Sequence, residues 1–293
     1  MKSEYVSTEH ANGWIHFAED ESFNETAFKE AKDLGFIDIE AHIMARMSKT
    51  EKLPLFTASQ ATLNMVFQPL TDKNLGLYVI VDSSAWVERV LAAGVKTVQL
   101  RIKESTQTNL RAEIKTSIAL ASKYGAQLFI NDHWQMAIEE GAYGVHIGQE
   151  DMDTLGKDGL QAIADKGCRL GISTHAYWEV CKALAIKPSY IACGPIHPTA
   201  AKAMPWIPQG NDNLAYWCSK LKSLGVPVVA IAGMDMQRAT EAMQCGAASV
   251  AVISAVTAAS EPESVMTKLQ AAIALGKTLP TWHVPALARP TLR

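Results

Sequence analysis

Between residues 75 and 254 the chain alternates eight short apolar runs with stretches of helical periodicity, and few folds accept that rhythm. The runs are LGLYVIVD (75–82), VKTVQLRIK (95–103), AQLFIND (126–132), YGVHIGQ (143–149), CRLGIST (168–174), PSYIACG (188–194), VPVVAIAG (226–233) and ASVAVIS (248–254). Most are close to continuously apolar, as strands covered on both faces must be. The segments between them, such as SAWVERVLAAG and NLAYWCSKLKSLG, carry apolar residues at helical spacing. Several close on a glycine (Gly94, Gly125, Gly141, Gly167, Gly225, Gly246) of the kind that ends a helix. Parallel strands joined by helices over roughly 200 residues predict a closed (β/α)8 TIM barrel, with an open doubly wound sheet as the competing arrangement. No GxGxxG follows the first run, which counts against the dinucleotide-binding form of the open sheet.

The flanks differ in kind. Residues 1–52 hold eleven acidic and six basic residues, whereas the whole chain has a formal net charge of -3. We read 1–74 as an acidic N-terminal extension, partly helical or disordered, 75–276 as the barrel that carries the chemistry, and 277–293 as a loose, Pro-containing tail. Within the extension, ETAFKEAKDLGFIDIEAHIMARM (25–47) suits one or two amphipathic helices broken at Gly35. The extension is too short to fold readily by itself, so it is expected to dock on the barrel, mediate a homo-oligomer contact or stay partly disordered. A pI near 6.2 argues against nonspecific nucleic-acid binding. The five cysteines show no CxxC spacing and suggest neither a disulfide framework nor a zinc site. The first residues lack an apolar signal region and no apolar stretch reaches the ~20 residues of a membrane span, so the expectation is a soluble cytoplasmic protein that does not contact membranes.

Polar residues gather where the runs end, which in a parallel sheet is where a carboxylate can leave solvent at least cost. Asp132 follows AQLFIN and Asp151 follows YGVHIGQE, and two acids on neighbouring strands suit one Mg2+. Each also has a plainer reading, with Asn131, as a helix N-cap, and the same holds for Ser173 and Thr174. In QLRIK, the period of two puts Gln99, Arg101 and Lys103 on one face and Leu100 with Ile102 on the other. Facing into a barrel, the two cations call for an anion, and arginine is shaped for forked phosphate contacts. The long loop GPIHPTAAKAMPWIPQG (194–210) brings Thr199 and Lys202 near the same end. Gly233 and Ser254 close the seventh and eighth runs, where barrels often hold a phosphate. His146, His175 and His197 also fall near strand ends, but no HxH or HExxH spacing marks them as metal ligands.

Taken together, QLRIK, IND, GVHIGQED, GISTH, YIACGPIHPT followed by Lys202, VAIAGM and VAVISAV resemble, in order and spacing, the thiamine phosphate synthase family over about residues 75 to 272. The resemblance implies a TIM-barrel transferase that joins hydroxymethylpyrimidine diphosphate to a thiazole phosphate and releases diphosphate, with Mg2+ as cofactor and small molecules as its partners. By the same resemblance Gln99, Leu100, Arg101, Ile102 and Lys103 would hold the pyrimidine diphosphate together with Asn131, Ser173 and Lys202. Asp132 and Asp151 would be the Mg2+ ligands. Thr199, Ala200, Ala201, Gly233, Ile253 and Ser254 would cradle the thiazole phosphate, and Arg101, Lys103, Lys202 and Ser173 would act on the reacting groups. Two departures fall in the thiazole-phosphate half: Ala201 stands where the family usually has a second Thr, and Ala232-Gly233 where it has a Gly pair.

Three other readings are weaker on the same residues. A barrel that binds thiazole phosphate as a tautomerase or regulator has no need of the Asp pair or Lys202. A partner-binding module built on the acidic extension, with the barrel a degenerate scaffold, is separated by deleting residues 1–70 and assaying coupling, since full activity in the truncated protein would make the extension accessory. A sugar-phosphate isomerase would want a strand-end Glu or Lys base, and no convincing one is present. If Lys202 stabilises a departing diphosphate, Lys202→Ala should cost about 2 to 4 kcal/mol of transition-state stabilisation, read as kcat/KM. Turnover close to that of the parent protein would remove Lys202 from the reaction.

Overall fold

Each of the eight apolar runs forms a strand in the computed structural model, which describes residues 23–47, 65–104, 106–199 and 205–292. Two helices, α1 (Glu25–Asp33) and α2 (Asp38–Met47), come first. The barrel then runs β1 (Gly76–Val81), α3 (Ser84–Ala92), β2 (Thr97–Leu100), α4 (Gln107–Tyr124), β3 (Gln127–Asn131), α5 (Trp134–Glu139), β4 (Gly144–Ile147) and α6 (Gln149–Asp165). It continues with β5 (Arg169–Thr174), α7 (Tyr177–Ile186), β6 (Tyr190–Cys193), α8 (Gly210–Lys222), β7 (Val228–Ile231), α9 (Met236–Gln244) and β8 (Ser249–Val252). The short α10 (Ser254–Thr257) and α11 (Pro262–Gly276) follow. All neighbouring strands are parallel and β8 pairs with β1, so the sheet closes and has no edge. Among the described residues no helix is long and apolar enough to cross a membrane.

Closure explains why the strands are apolar on both faces. One parity of side chains, including Val79, Leu128, Ile191 and Val250, packs against the surrounding helices. The other sends Tyr78, Ile80, Phe129, Tyr190, Ala192 and Val229 into the barrel. Three aromatic rings fit there because glycines on neighbouring strands give way. A Cβ at Gly171 would lie 2.1 Å from the Tyr190 ring and one at Gly144 2.6 Å from Phe129. The floor, at the N-terminal ends of the strands, is closed by the segment before β1: Leu70 and Leu75 join the interior cluster, and Pro69 and Gln68 offer carbonyls to Arg169 Nε (3.1 Å) and Ser189 Oγ (2.7 Å). The polar ends of the strands are thereby left at the opposite mouth.

The extension docks where it is described, while residues 1–22 and 48–64 lie outside the described set. Asn24 caps α1, accepting from the N–H groups of Thr26 and Ala27. Gly35, at φ +90°, makes the turn into α2. Phe36 meets the edge of Tyr177 at 5.7 Å, and Ile39 and Ile43 are fully buried. Glu40, 1% exposed, accepts from Trp178 N–H at 3.4 Å and so serves the first turn of α7, whose own N-cap Ala176 has no side chain to offer.

The expectation of a loose C-terminal tail is not met. Trp282 donates from its backbone to Gln244 O (2.9 Å) and from Nε1 to Asp212 Oδ1 (2.8 Å), and Ala288 N–H donates to Tyr177 Oη (3.0 Å). Without regular structure the tail cannot pair its own backbone groups, and it satisfies them on the helices it crosses.

Burial pushes the Glu40 carboxyl up to about 7, with the N–H groups of Trp178 and Tyr177 opposing the shift and the Glu179 charge adding to it. Unfolded, this group titrates near 4.5, so its contribution to stability is whole below that pH and is lost as pH rises through about 7. The unfolding free energy of the parent protein minus that of Glu40→Gln should therefore fall by on the order of 3 kcal/mol between pH 4.5 and 7.5 in urea titrations. A difference that is flat with pH would show that Glu40 is not held in this buried site.

Candidate active site

Asp132 owes its position to the end of β3. Its N–H still donates to His146 O (3.0 Å) on β4, but its φ of +60° breaks the strand, and the next two N–H groups turn back onto Asn131 O and Asp132 O, both at 2.7 Å. Aspartate tolerates this left-handed conformation better than most residues. The turn aims the carboxylate into the barrel mouth, where it accepts from Asn131 Nδ2. Asp151 arrives from the first turn of α6, and Gly148 leaves it room, since a Cβ there would lie 3.2 Å from Asp151 Oδ2.

The N-cap readings of these residues fail. The cap of α5 is His133 and that of α6 is Gly148, neither with a side-chain cap bond. The cap of α7 is Ala176, so Ser173 and Thr174 are not caps either. Asp132 and Asp151 instead face each other in the cavity mouth, near enough for their charges to interact. The Asp132 carboxyl is pushed up to about 6, chiefly by burial and then by the charge of Asp151, with Arg101 opposing. Two carboxylates facing each other in a partly desolvated mouth are side chains that could hold a divalent cation. Among the described residues no group of three or more His, Cys, Asp or Glu gathers.

The mouth is one continuous cavity of about 1070 Å³. Gln99, Arg101, Asn131, Asp132, Asp151 and Ser173 line one part of it, and Thr199, Gly233, Ile253 and Ser254 another. Leu100, Ile102 and Lys103 do not line it. β2 ends at Leu100, which is buried in the helix-facing layer; Ile102 packs on that layer and presents its carbonyl to His133 Nε2, and Lys103 is exposed. Ala200, Ala201 and Lys202 lie outside the described residues. At the Ala232-Gly233 departure, Ala232 keeps a φ of +81°, a conformation that costs an L-residue about 1–2 kcal/mol and a glycine almost nothing. Gly233 cannot be replaced so simply: a Cβ would fall 2.6 Å from Pro198 O.

Beneath the cavity lies a polar chain that the motifs did not announce. Gln99 Nε2 donates to Tyr78 Oη (3.1 Å), which bonds Tyr190 Oη (2.9 Å); Tyr190 Oη bonds His146 Nδ1 (2.7 Å), and His146 Nε2 bonds Ser173 Oγ (2.9 Å). Burial, then the Arg101 charge, holds His146 down at about 4, and burial pushes both tyrosines up, so the chain is uncharged near neutrality. It fixes the two side chains at its ends, Gln99 on β2 and Ser173 on β5. Gln149 Nε2 adds a donor to Ser173 O at 2.7 Å. Strand parity was the available signal, since it turns His146 and Tyr190 inward like Gln99.

A family model described as thiamine monophosphate synthase matches residues 74–256. The thiamine-phosphate synthase of Salmonella paratyphi B is 46% identical over 208 residues, spanning 71% of this chain and 96% of the relative. That of Serratia proteamaculans is 50% identical over 191 residues, or 65% of this chain and 88% of the relative. Among solved structures, thiamine phosphate pyrophosphorylase from Pyrococcus furiosus superimposes with a TM-score of 0.60 at 27% identity, covering 70% of this chain and 98% of that one. A KDPGal structure with a TM-score of 0.52 at 16% identity shares the fold alone.

Removing the hydroxyl in the middle of the polar chain leaves His146 Nδ1 and Tyr78 Oη without their partner. Tyr190→Phe should therefore cost about 1–3 kcal/mol of unfolding free energy, measured by urea denaturation. A change below about 0.5 kcal/mol would show the chain to be unimportant to the fold.

Proposed function

Since the chain belongs to the thiamine monophosphate synthase family and is a transferase that forms thiamine phosphate, we propose that it does so by Mg2+-assisted departure of diphosphate from 4-amino-5-hydroxymethyl-2-methylpyrimidine diphosphate, followed by attack of the thiazole phosphate nitrogen on the exposed methylene. The observation that carries this reading is the contact between Asp132 and Asp151 in the cavity that Arg101 also lines. Asp132 and Asp151 would hold Mg2+, which when bound supplies positive charge to the leaving group.

The remaining work falls to the protein's own side chains. Arg101 faces the phosphates as a forked donor, with Lys202 as a second cation. Gln99 and Ser173, held rigid by the polar chain, set the pyrimidine ring. Carbon–oxygen bond breaking at the methylene leaves positive charge that the aminopyrimidine ring delocalises, so no strong general acid or base is required. The uncharged His146 and the tyrosines beneath suit that condition, because they place no competing nucleophile or full charge under the ring. Thr199, Gly233, Ile253 and Ser254 cradle the thiazole phosphate at the ends of β6, β7 and β8, the usual phosphate position in this fold. The cavity volume accommodates both substrates together, as direct coupling demands. The cytoplasm is the expected compartment for such an enzyme.

Purified protein supplied with both substrates should release diphosphate in the presence of Mg2+ and not after chelation. No release with both substrates and Mg2+ present would overturn the reading. Asp132→Asn should raise the Mg2+ concentration for half-maximal rate about tenfold or more, a loss of about 1.4 kcal/mol. An unaltered Mg2+ titration would take Asp132 out of the metal shell.

A further inference from the structure

The C-terminal tail lies beyond the 74–256 segment that the family model matches, and its Leu292 reaches the cavity. Thr291, 3% exposed, donates from Oγ1 to His175 O at 2.7 Å. Its own carbonyl accepts from Ile207 N–H, also at 2.7 Å. One residue thereby ties the end of β5 to the segment leading into α8. The tail is also anchored two residues before this tie. Arg289 N–H donates to Asn213 Oδ1 (2.9 Å), Asn213 Nδ2 returns a bond to Arg289 O (3.0 Å), and the Arg289 guanidinium bonds Pro208 O.

The two points that Thr291 holds carry a pair of stacked rings. His175 and Trp206 lie 5.0 Å apart and within 6° of parallel, and both line the cavity beside Leu292. His175 is further fixed by Glu179, which is 1% exposed and accepts from His175 N (2.8 Å) and Nδ1 (2.7 Å). Among the described residues Trp206 has no comparable side-chain anchor, but the backbone of Ile207 next to it is bound to Thr291. The wall stands two residues beyond Ser173 of β5, on the side of the barrel mouth away from Ile253 and Ser254, which follow β8.

We infer that His175, Trp206 and Leu292 form a wall that selects the flat heteroaromatic ring of the pyrimidine substrate, and that Thr291 is the positioning residue that sets this wall. The inference rests on the coupling reaction proposed above. A stacked pair buttressed from behind presents a rigid apolar surface, and a planar ring loses little freedom in lying against it. The tail thus contributes to substrate recognition through Thr291 and Leu292.

The test is steady-state kinetics of full-length protein with each substrate varied in turn, after diphosphate release by the parent protein has been established. Absence of that release would fail the coupling reading and this one together. Thr291→Val keeps the backbone bond to Ile207 and removes only the hydroxyl. It should raise KM for the pyrimidine diphosphate about fivefold or more with kcat within about twofold, and Thr291→Ser should restore it. Trp206→Leu, which keeps apolar bulk, should raise the same KM without lowering the melting temperature in proportion. A tail that is merely structural would lower stability and the active fraction but leave KM where it was. Unchanged KM values in Thr291→Val and Trp206→Leu, or an effect confined to the thiazole phosphate KM, would overturn the inference while leaving the coupling reaction intact.

Discussion

Everything in this molecule follows from closing a parallel sheet on itself. Once each strand is covered by helices outside and by its opposite strands inside, no strand can carry a charge along its length without leaving it unsolvated. Charge is pressed to the strand ends, and the floor segment with Leu70 and Leu75 seals one of those ends. What remains is a single mouth at which Arg101, Asp132 and Asp151 must meet. The raised carboxyl of Asp132 is the physical signature of that confinement: burial and a like charge work against ionisation, and Arg101 offsets only part of the cost.

The interior beneath the mouth solves a second problem, that of placing hydroxyls and an imidazole in a closed core. Gln99, Tyr78, Tyr190, His146 and Ser173 do so by satisfying each other in sequence, so that none of the linking polar atoms is left without a partner. Gly171 and Gly144 belong to the same solution, since without their missing Cβ atoms the Tyr190 and Phe129 rings could not occupy the barrel. The site is therefore rigid from below, and its residues are held in place before any ligand arrives.

What could be read in advance divides along physical lines. The eight strands were legible because double-sided burial makes a strand apolar throughout. Asp132 and Ser173 were legible because they interrupt that apolarity at strand ends, and Asp151 because it follows one closely, in the first turn of α6. Alternation in QLRIK holds through Arg101, whose N–H still bonds Val81 O, and fails beyond it, leaving Lys103 exposed and outside the cavity lining. The polar chain was not legible because its members lie far apart in sequence: Tyr78 and Tyr190 meet across the closed barrel. Glu40 at the start of α7, and the tail at His175, were missed for a related reason. Both act through bonds to backbone groups of distant segments, and such bonds leave no periodic trace in the chain.

The proposed chemistry requires one divalent ion shared by Asp132, just past β3, and Asp151 on α6. Its most direct test is anomalous scattering from crystals grown with Mn2+ in place of Mg2+ and with diphosphate. The expected result is a single ion at the barrel mouth, reached by both Asp132 and Asp151 directly or through one water. An ion bound by neither acid, or two separate positions with one acid at each, would contradict it.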